Sequence, residues 1–161
     1  MRPLPILART FLAALAACAP VPEPVEVTIN TPVGFVLAPS PAFQNQLNAE
    51  RALKGASPLS YSAQLTAAAQ VHANDMSRNG FFSHYSTDGS KLGNRVLAQG
   101  YRFCWTAENI SVGQATLDET FAGWVHSTGH YLNMTARQPT EFGLAEADGN
   151  YRVLVLGQPG C

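Results

Sequence analysis

Three short polar knots hold most of the residues that could do chemistry. They are Phe82-Ser83-His84, Ala107-Glu108-Asn109 and the run from Trp124 through His126, Ser127, Gly129 and His130 to Asn133. Neutral imidazoles and a carboxylate are the donors that a divalent transition metal such as zinc takes up, with water completing an open position. His84, Glu108 and His130 could supply that set if three separated segments converge in one cleft, with Ser127 and Asn133 lining it. His126 and His130 are four apart, but Gly129 between them is expected to break the helix, and no HExxH is present. Ser127 has no Gly-x-Ser-x-Gly elbow around it and reads as a helix cap. His72 falls on an apolar helix face and reads as a core histidine with a satisfied hydrogen bond. A carboxylate in a strand, as expected for Glu108, must be paired, ligated or exposed. Arg95 and Arg51 are its candidate partners.

The elements that must position these residues can be read from caps and periodicity. Ser40 before Pro41 starts a helix through Phe43, Leu47 and Leu53 to Gly55. Ser62 caps a stronger one, with Leu65, Ala68, Ala69, His72 and Met76 on one face before Asn79-Gly80 ends it. A loop then carries His84 and an Asp88-Gly89 turn, and a short helix covers Leu92 to Gln99. Thr106 to Val112 reads as a strand bearing Glu108. Thr116 and Glu119 form a capping box for a helix with Leu117, Phe121, Trp124 and Val125 at helical spacing. Glu141 to Ala147 and Tyr151 to Gly157 flank Asp148-Gly149-Asn150 as a hairpin. Val153-Leu154-Val155-Leu156 is apolar on both faces, as in a central strand covered above and below by helices. The fold class expected is α/β, a layered α/β/α domain.

The chain has 161 residues, 46% hydrophobic and 13% charged, enough for one domain and a leader. Arg2 and Arg9, the apolar run Phe11 to Ala17 and Leu15-Ala16-Ala17-Cys18 have the form of a secretory signal with a lipobox-like end. The expected division is a lipoprotein-type signal over 1–17, a Pro-rich tether over 18–40 and a domain over 41–161. Cys18 is the expected lipidation site, and the cell envelope (periplasmic or outer membrane) or the secreted fraction is the expected location. Removal of the leader lowers Lys+Arg from 10 to 8 against 11 Asp+Glu, a net of −3. That charge argues against nucleic acid as a partner. In an oxidising envelope the remaining Cys104 and Cys161 are expected to form a disulfide, whose long loop is worth roughly 4 kcal/mol in the chain-entropy picture.

Taken together, several segments resemble the CAP superfamily (SCP/TAPS, pathogenesis-related-1-like) in its bacterial form. They are Leu47-Asn48-Ala49-Glu50-Arg51, Ala69 to Met76, Gly80 to His84, Asp88-Gly89, Arg95 with Gly100-Tyr101, Glu108-Asn109-Ile110, and Trp124 to Asn133. The resemblance covers about residues 43 to 157. It implies an α/β/α sandwich with a mainly antiparallel central sheet and a cleft built around His84, His130 and Glu108. Many eukaryotic members carry a second glutamate where this chain has Ser127, so any metal here would be held by fewer protein groups. Family members have been linked to sterol or lipid binding, to divalent metals and to proteolysis. The expected function is a non-catalytic ligand-binding or envelope-interaction module, with the membrane reached through the N-terminal lipid and a lipid or other apolar molecule as ligand. The alternative is a metal-assisted, peptidase-like hydrolase using His84 and His130 to hold the ion and Glu108 as base or ligand.

Overall fold

A computed structural model describes residues 40–160. The leader, Cys18, the tether as far as residue 39 and Cys161 lie outside them. The described elements are α1 (Pro41–Leu53), β1 (Ser60–Tyr61), α2 (Ala63–Asn79), α3 (Leu92–Ala98), β2 (Phe103–Ser111), α4 (Leu117–His126), α5 (Thr128–Met134), β3 (Glu141–Ala147) and β4 (Tyr151–Pro159). No helix among the described residues is long and apolar enough to cross a membrane.

The helix starts are made by the residues that local chemistry favours. The Ser40 hydroxyl accepts from the Phe43 amide, with Pro41 in the first turn. The Ser62 hydroxyl accepts from Leu65 N–H, and α2 stops where Gly80 takes a left-handed φ of +64°. Thr116 and Glu119 exchange both bonds of a capping box at the start of α4.

The sheet runs in the order β1-β3-β4-β2. β4 lies inside it, antiparallel to β3 across the hairpin and to β2 on its other side. The sheet is nevertheless mixed: Ser60 and Tyr61 pair in parallel with Glu141 and Phe142. This corrects the mainly antiparallel expectation. A two-residue strand has no alternation to read, and most of the domain separates β1 from β3, which is ample for a parallel crossover.

Alternation along β4 sorts the core. Val153 and Val155 pack with Leu65, Ala69 and Met76 of α2 and Val96 of α3. Leu154 and Leu156 pack with Phe43 and Leu47 of α1, Phe121 and Trp124 of α4 and Met134 of α5. A strand buried on both faces thus carries a helical layer on each side. β2 is an edge strand of the described sheet, and the same alternation there turns Glu108 and Asn109 to opposite faces.

One close approach fixes how α2 sits on the sheet. A Cβ at Gly143 of β3 would lie 2.2 Å from the Thr66 amide nitrogen and 2.3 Å from the Leu65 carbonyl carbon. Both are backbone, so neither can swing aside. Gly129, by contrast, has nothing within 4 Å of its Cβ position. Gly143→Ala should therefore cost about 3 kcal/mol or more in chemical denaturation, or leave no folded protein. Gly129→Ala should be neutral or stabilising by up to about 1 kcal/mol. Equal effects would contradict this packing.

Candidate functional site

The site grows from the edge strand. Glu108 is 7% exposed, and its carboxylate faces α2, α3 and the 81–90 loop. Arg95 of α3 donates from Nη2 to Glu108 Oε2 at 2.6 Å. His84, on the loop, donates from Nδ1 to Oε1 at 2.8 Å. Burial by itself would raise the Glu108 carboxyl, but the His84 hydrogen bond and the Arg95 charge overcome it and hold the group below its ordinary value. Arg95, and not Arg51, is thus the carboxylate's cation. Arg51 caps the end of α5 instead, giving Nη1 to the carbonyls of Met134 and Ala136, each at 2.8 Å.

Arg95 also organises the loop. Its Nη1 reaches the His84 carbonyl at 3.2 Å, Ser86 Oγ at 3.1 Å and the Ser90 carbonyl at 3.3 Å. From α2, the Asp75 carboxylate accepts from Thr87 N–H at 2.9 Å and Thr87 O–H at 2.7 Å. His72 is fully buried, bonded through Nε2 to the Ser83 carbonyl, and lies 3.9 Å from Glu108 Oε1. It is a core histidine with a satisfied hydrogen bond, and it also stands against the carboxylate. Burial holds its ring neutral below the ordinary 6.5. Composition and spacing hid this link, because His72 falls on a stripe that is otherwise Leu, Ala and Met.

The remaining candidates stand on the other side of the β2 edge. The chain leaves helical geometry at Ser127 (φ −97°, ψ 118°), which separates α4 from α5. Gly129, expected as the break, lies inside α5. Ser127 breaks the helix because its extended ψ reorients the chain, and no cap bond from its side chain forms. His130 and Asn133 share a face of α5. Asn133 Nδ2 donates to Asn109 Oδ1 at 2.9 Å, while Asn109 Nδ2 donates to the His130 carbonyl at 3.0 Å. These bonds strap α5 to the edge strand. The His130 ring packs 6.5 Å from Trp124, and burial followed by the charge of His84 keeps it below its ordinary value. No hydrogen bond among the described residues joins the His130 ring to Glu108 or His84.

Two cavities flank the Phe82–Tyr85 stretch. One of about 290 Å³ is lined by Phe82, Ile110, Gln114, Trp124, Ser127 and His130. The other, about 380 Å³, is lined by His84, Tyr85, Lys91, Leu92 and Glu108. No three His, Cys, Asp or Glu side chains among the described residues are grouped so as to hold a metal ion. Both Glu108 oxygens accept hydrogen bonds, from Arg95 and His84, and the His84 and His130 rings stand on separate elements. The zinc expectation finds no support in these residues.

The profile of the Cysteine-rich secretory protein family (CAP) matches residues 44–156. "Uncharacterized protein YkwD" of Bacillus subtilis is 30% identical over 97 residues, covering 60% of this chain and 38% of that protein. An extracellular protein containing a SCP domain from Bacillus anthracis superposes with a TM-score of 0.69 at 26% identity, over 73% of this chain and 39% of that one. An outer surface protein from Borrelia burgdorferi gives 0.67 at 17% identity, over 74% and 91%, a likeness of fold. The chain therefore spans under two fifths of the length of both Bacillus proteins.

The electrostatics set a direction for stability against pH. His72 and His130 have folded values below 6.5, so their contribution is complete above pH 6.5 and is lost as pH falls below it. Glu108, also lowered, contributes above 4.5 and loses that contribution as pH falls through its folded value. The melting temperature should be flat from pH 6.5 to about 9, below the range where the tyrosines titrate, and decline in both acid windows. His84→Ala should cost only about 1 kcal/mol, because Arg95 still pairs the carboxylate. A melting temperature that rises on acidification would contradict this electrostatic picture.

Proposed function

Because the chain belongs to the cysteine-rich secretory protein (CAP) family, we propose that it is an envelope-located, non-catalytic binding domain whose cleft holds a small, partly apolar ligand. The observation that carries this reading is the hold of Arg95 and His84 on Glu108. A general base works best with a pKa near the operating pH. Glu108 is held below its ordinary value by these two partners, which makes it a weak base. The Ser127 hydroxyl has no hydrogen bond to an imidazole among the described residues, so the serine lacks an activating base. What the site does offer is two cavities, one edged by the exposed Phe82 and backed by Trp124, the other edged by the exposed Tyr85. Concave apolar walls with a few fixed polar groups are the usual form of a ligand site. The metal-assisted hydrolase would need as its base a carboxylate that Arg95 and His84 hold weakly basic.

An extracellular or surface setting is supported by the Bacillus anthracis and Borrelia burgdorferi relatives, described as an extracellular and an outer surface protein. The Leu15 to Cys18 ending supports lipid anchoring at Cys18. The β2–β4 register supports a Cys104–Cys161 bridge: Phe103 faces Pro159, and an irregularity between Phe103 and Trp105 sets Cys104 apart from the ladder.

Native mass spectrometry of protein taken from its own envelope should show a bound organic mass and no stoichiometric metal. Phe82→Ser, at an exposed position, should lose that mass without lowering the melting temperature. A stoichiometric ion that disappears in His84→Ala or His130→Ala, with no organic mass, would overturn the proposal in favour of the hydrolase. Anchoring and bridging have their own readouts. A palmitate analogue should label the wild type but not Cys18→Ala, and non-reducing peptide mapping should recover Cys104 linked to Cys161. Equal labelling, or two free thiols, would refute the respective idea.

A further inference from the structure

We infer that His72, which lines neither cavity, is the positioning residue of the cleft: it pins both shoulders of the Ser83–Ser86 stretch and so fixes the orientation and tautomer in which His84 meets a ligand. The inference concerns the geometry of the cleft and stands whatever the ligand proves to be.

The donor roles can be assigned bond by bond. A carbonyl only accepts, so the His72 nitrogen 2.8 Å from the Ser83 oxygen, Nε2, carries a hydrogen. In the buried neutral ring Nδ1 is then a lone pair, and the Ser86 hydroxyl 3.3 Å away donates to it. Ser86 Oγ in turn accepts from Arg95 Nη1 at 3.1 Å. The result is one directed chain, Arg95 to Ser86 to His72 to Ser83, in which reversing any member breaks a neighbour. Such chains polarise along their length and hold their members to one arrangement.

Its consequence falls on the two residues between the shoulders. Ser83 and Ser86 are held to the same buried ring, while His84 and Tyr85 project outward. The His84 side chain is 55% exposed, yet its Nδ1 is held on Glu108 Oε1. Because the ionised carboxylate only accepts, Nδ1 carries the hydrogen. In its Nδ1–H tautomer the ring turns an Nε2 lone pair to the cleft, and the complementary ligand group is an O–H or N–H donor. The charged groups that face His72 are Glu108 of β2, Arg95 of α3 and Asp75 of α2 itself. A second proton on His72 would need an acceptor at Nδ1, where the Ser86 hydroxyl is already donating.

The test reads the His84 ring directly. Long-range ¹H–¹⁵N correlation on the folded domain near neutral pH should find His72 as the Nε2–H tautomer and His84 as Nδ1–H. His72→Phe keeps bulk but removes both bonds. His84 should then lose its Nδ1–H preference, and amide exchange over residues 83–90 should quicken about tenfold or more. His72→Gln, which keeps a donor for the Ser83 carbonyl, should restore part of both. If the Phe variant does not fold, Ser86→Ala breaks the same chain by deleting one hydroxyl, with the same expected change at His84. Variants that lose stability while the His84 tautomer and loop exchange stay as in the wild type would overturn the inference and leave His72 as core filling.

Discussion

The contact between Arg95 and Glu108 is the constraint on which the rest of this site hangs. Each side chain is 3% exposed, and removing two charges from water costs several kcal/mol per ion. Mutual attraction offsets that cost only when the remaining donors and acceptors are also used. Here nearly all are: the guanidinium also holds Ser86 and the carbonyls of His84 and Ser90, and the second carboxylate oxygen holds His84. Arg95 Nε is the exception, buried without a hydrogen-bond partner among the described residues. A seven-residue helix, an irregular loop and an edge strand are thereby tied to one another through a single ion pair.

The same pair decides what the cleft can offer. With Glu108 paired to Arg95, the surface presented to a ligand consists of two imidazoles, a serine and aromatic walls, with the Lys91 side chain on the His84 side. His130 reaches this surface from the far side of the β2 edge, because adjacent residues of a strand point to opposite faces and Asn109, beside Glu108, is strapped to α5. Shared membership of a family does not decide the chemistry of such a site; the disposition of these particular groups does.

Much of this was legible in the residues. Ser62, Gly80 and the Thr116–Glu119 box carry their own local chemistry, and the doubly apolar Val153–Leu156 stretch names its place inside the sheet. His84, Glu108 and His130 were identifiable as unusual, since polar groups beside aromatic residues need partners. The rest depended on contacts made at a distance. Two residues of β1 carry no period. Ser127 breaks the helix through its backbone angles, while the glycine that looked like the breaker fits α5 without strain. His72 shares a stripe with Ala69 and Met76, so nothing near it in the chain shows that its ring meets a loop eleven residues on. Arg51 and Arg95 are indistinguishable by type, and only packing sends one to helix carbonyls and the other to the carboxylate.

A double-mutant cycle on Arg95 and Glu108 tests the centre of this picture most directly. Arg95→Met and Glu108→Leu should each cost about 3–5 kcal/mol in equilibrium unfolding, because each strands a buried charge. The double variant should be no worse than either single one, a coupling of at least about 3 kcal/mol. Costs that simply add, to within about 0.5 kcal/mol, would mean that the two side chains act independently and that the ion pair does not organise the site.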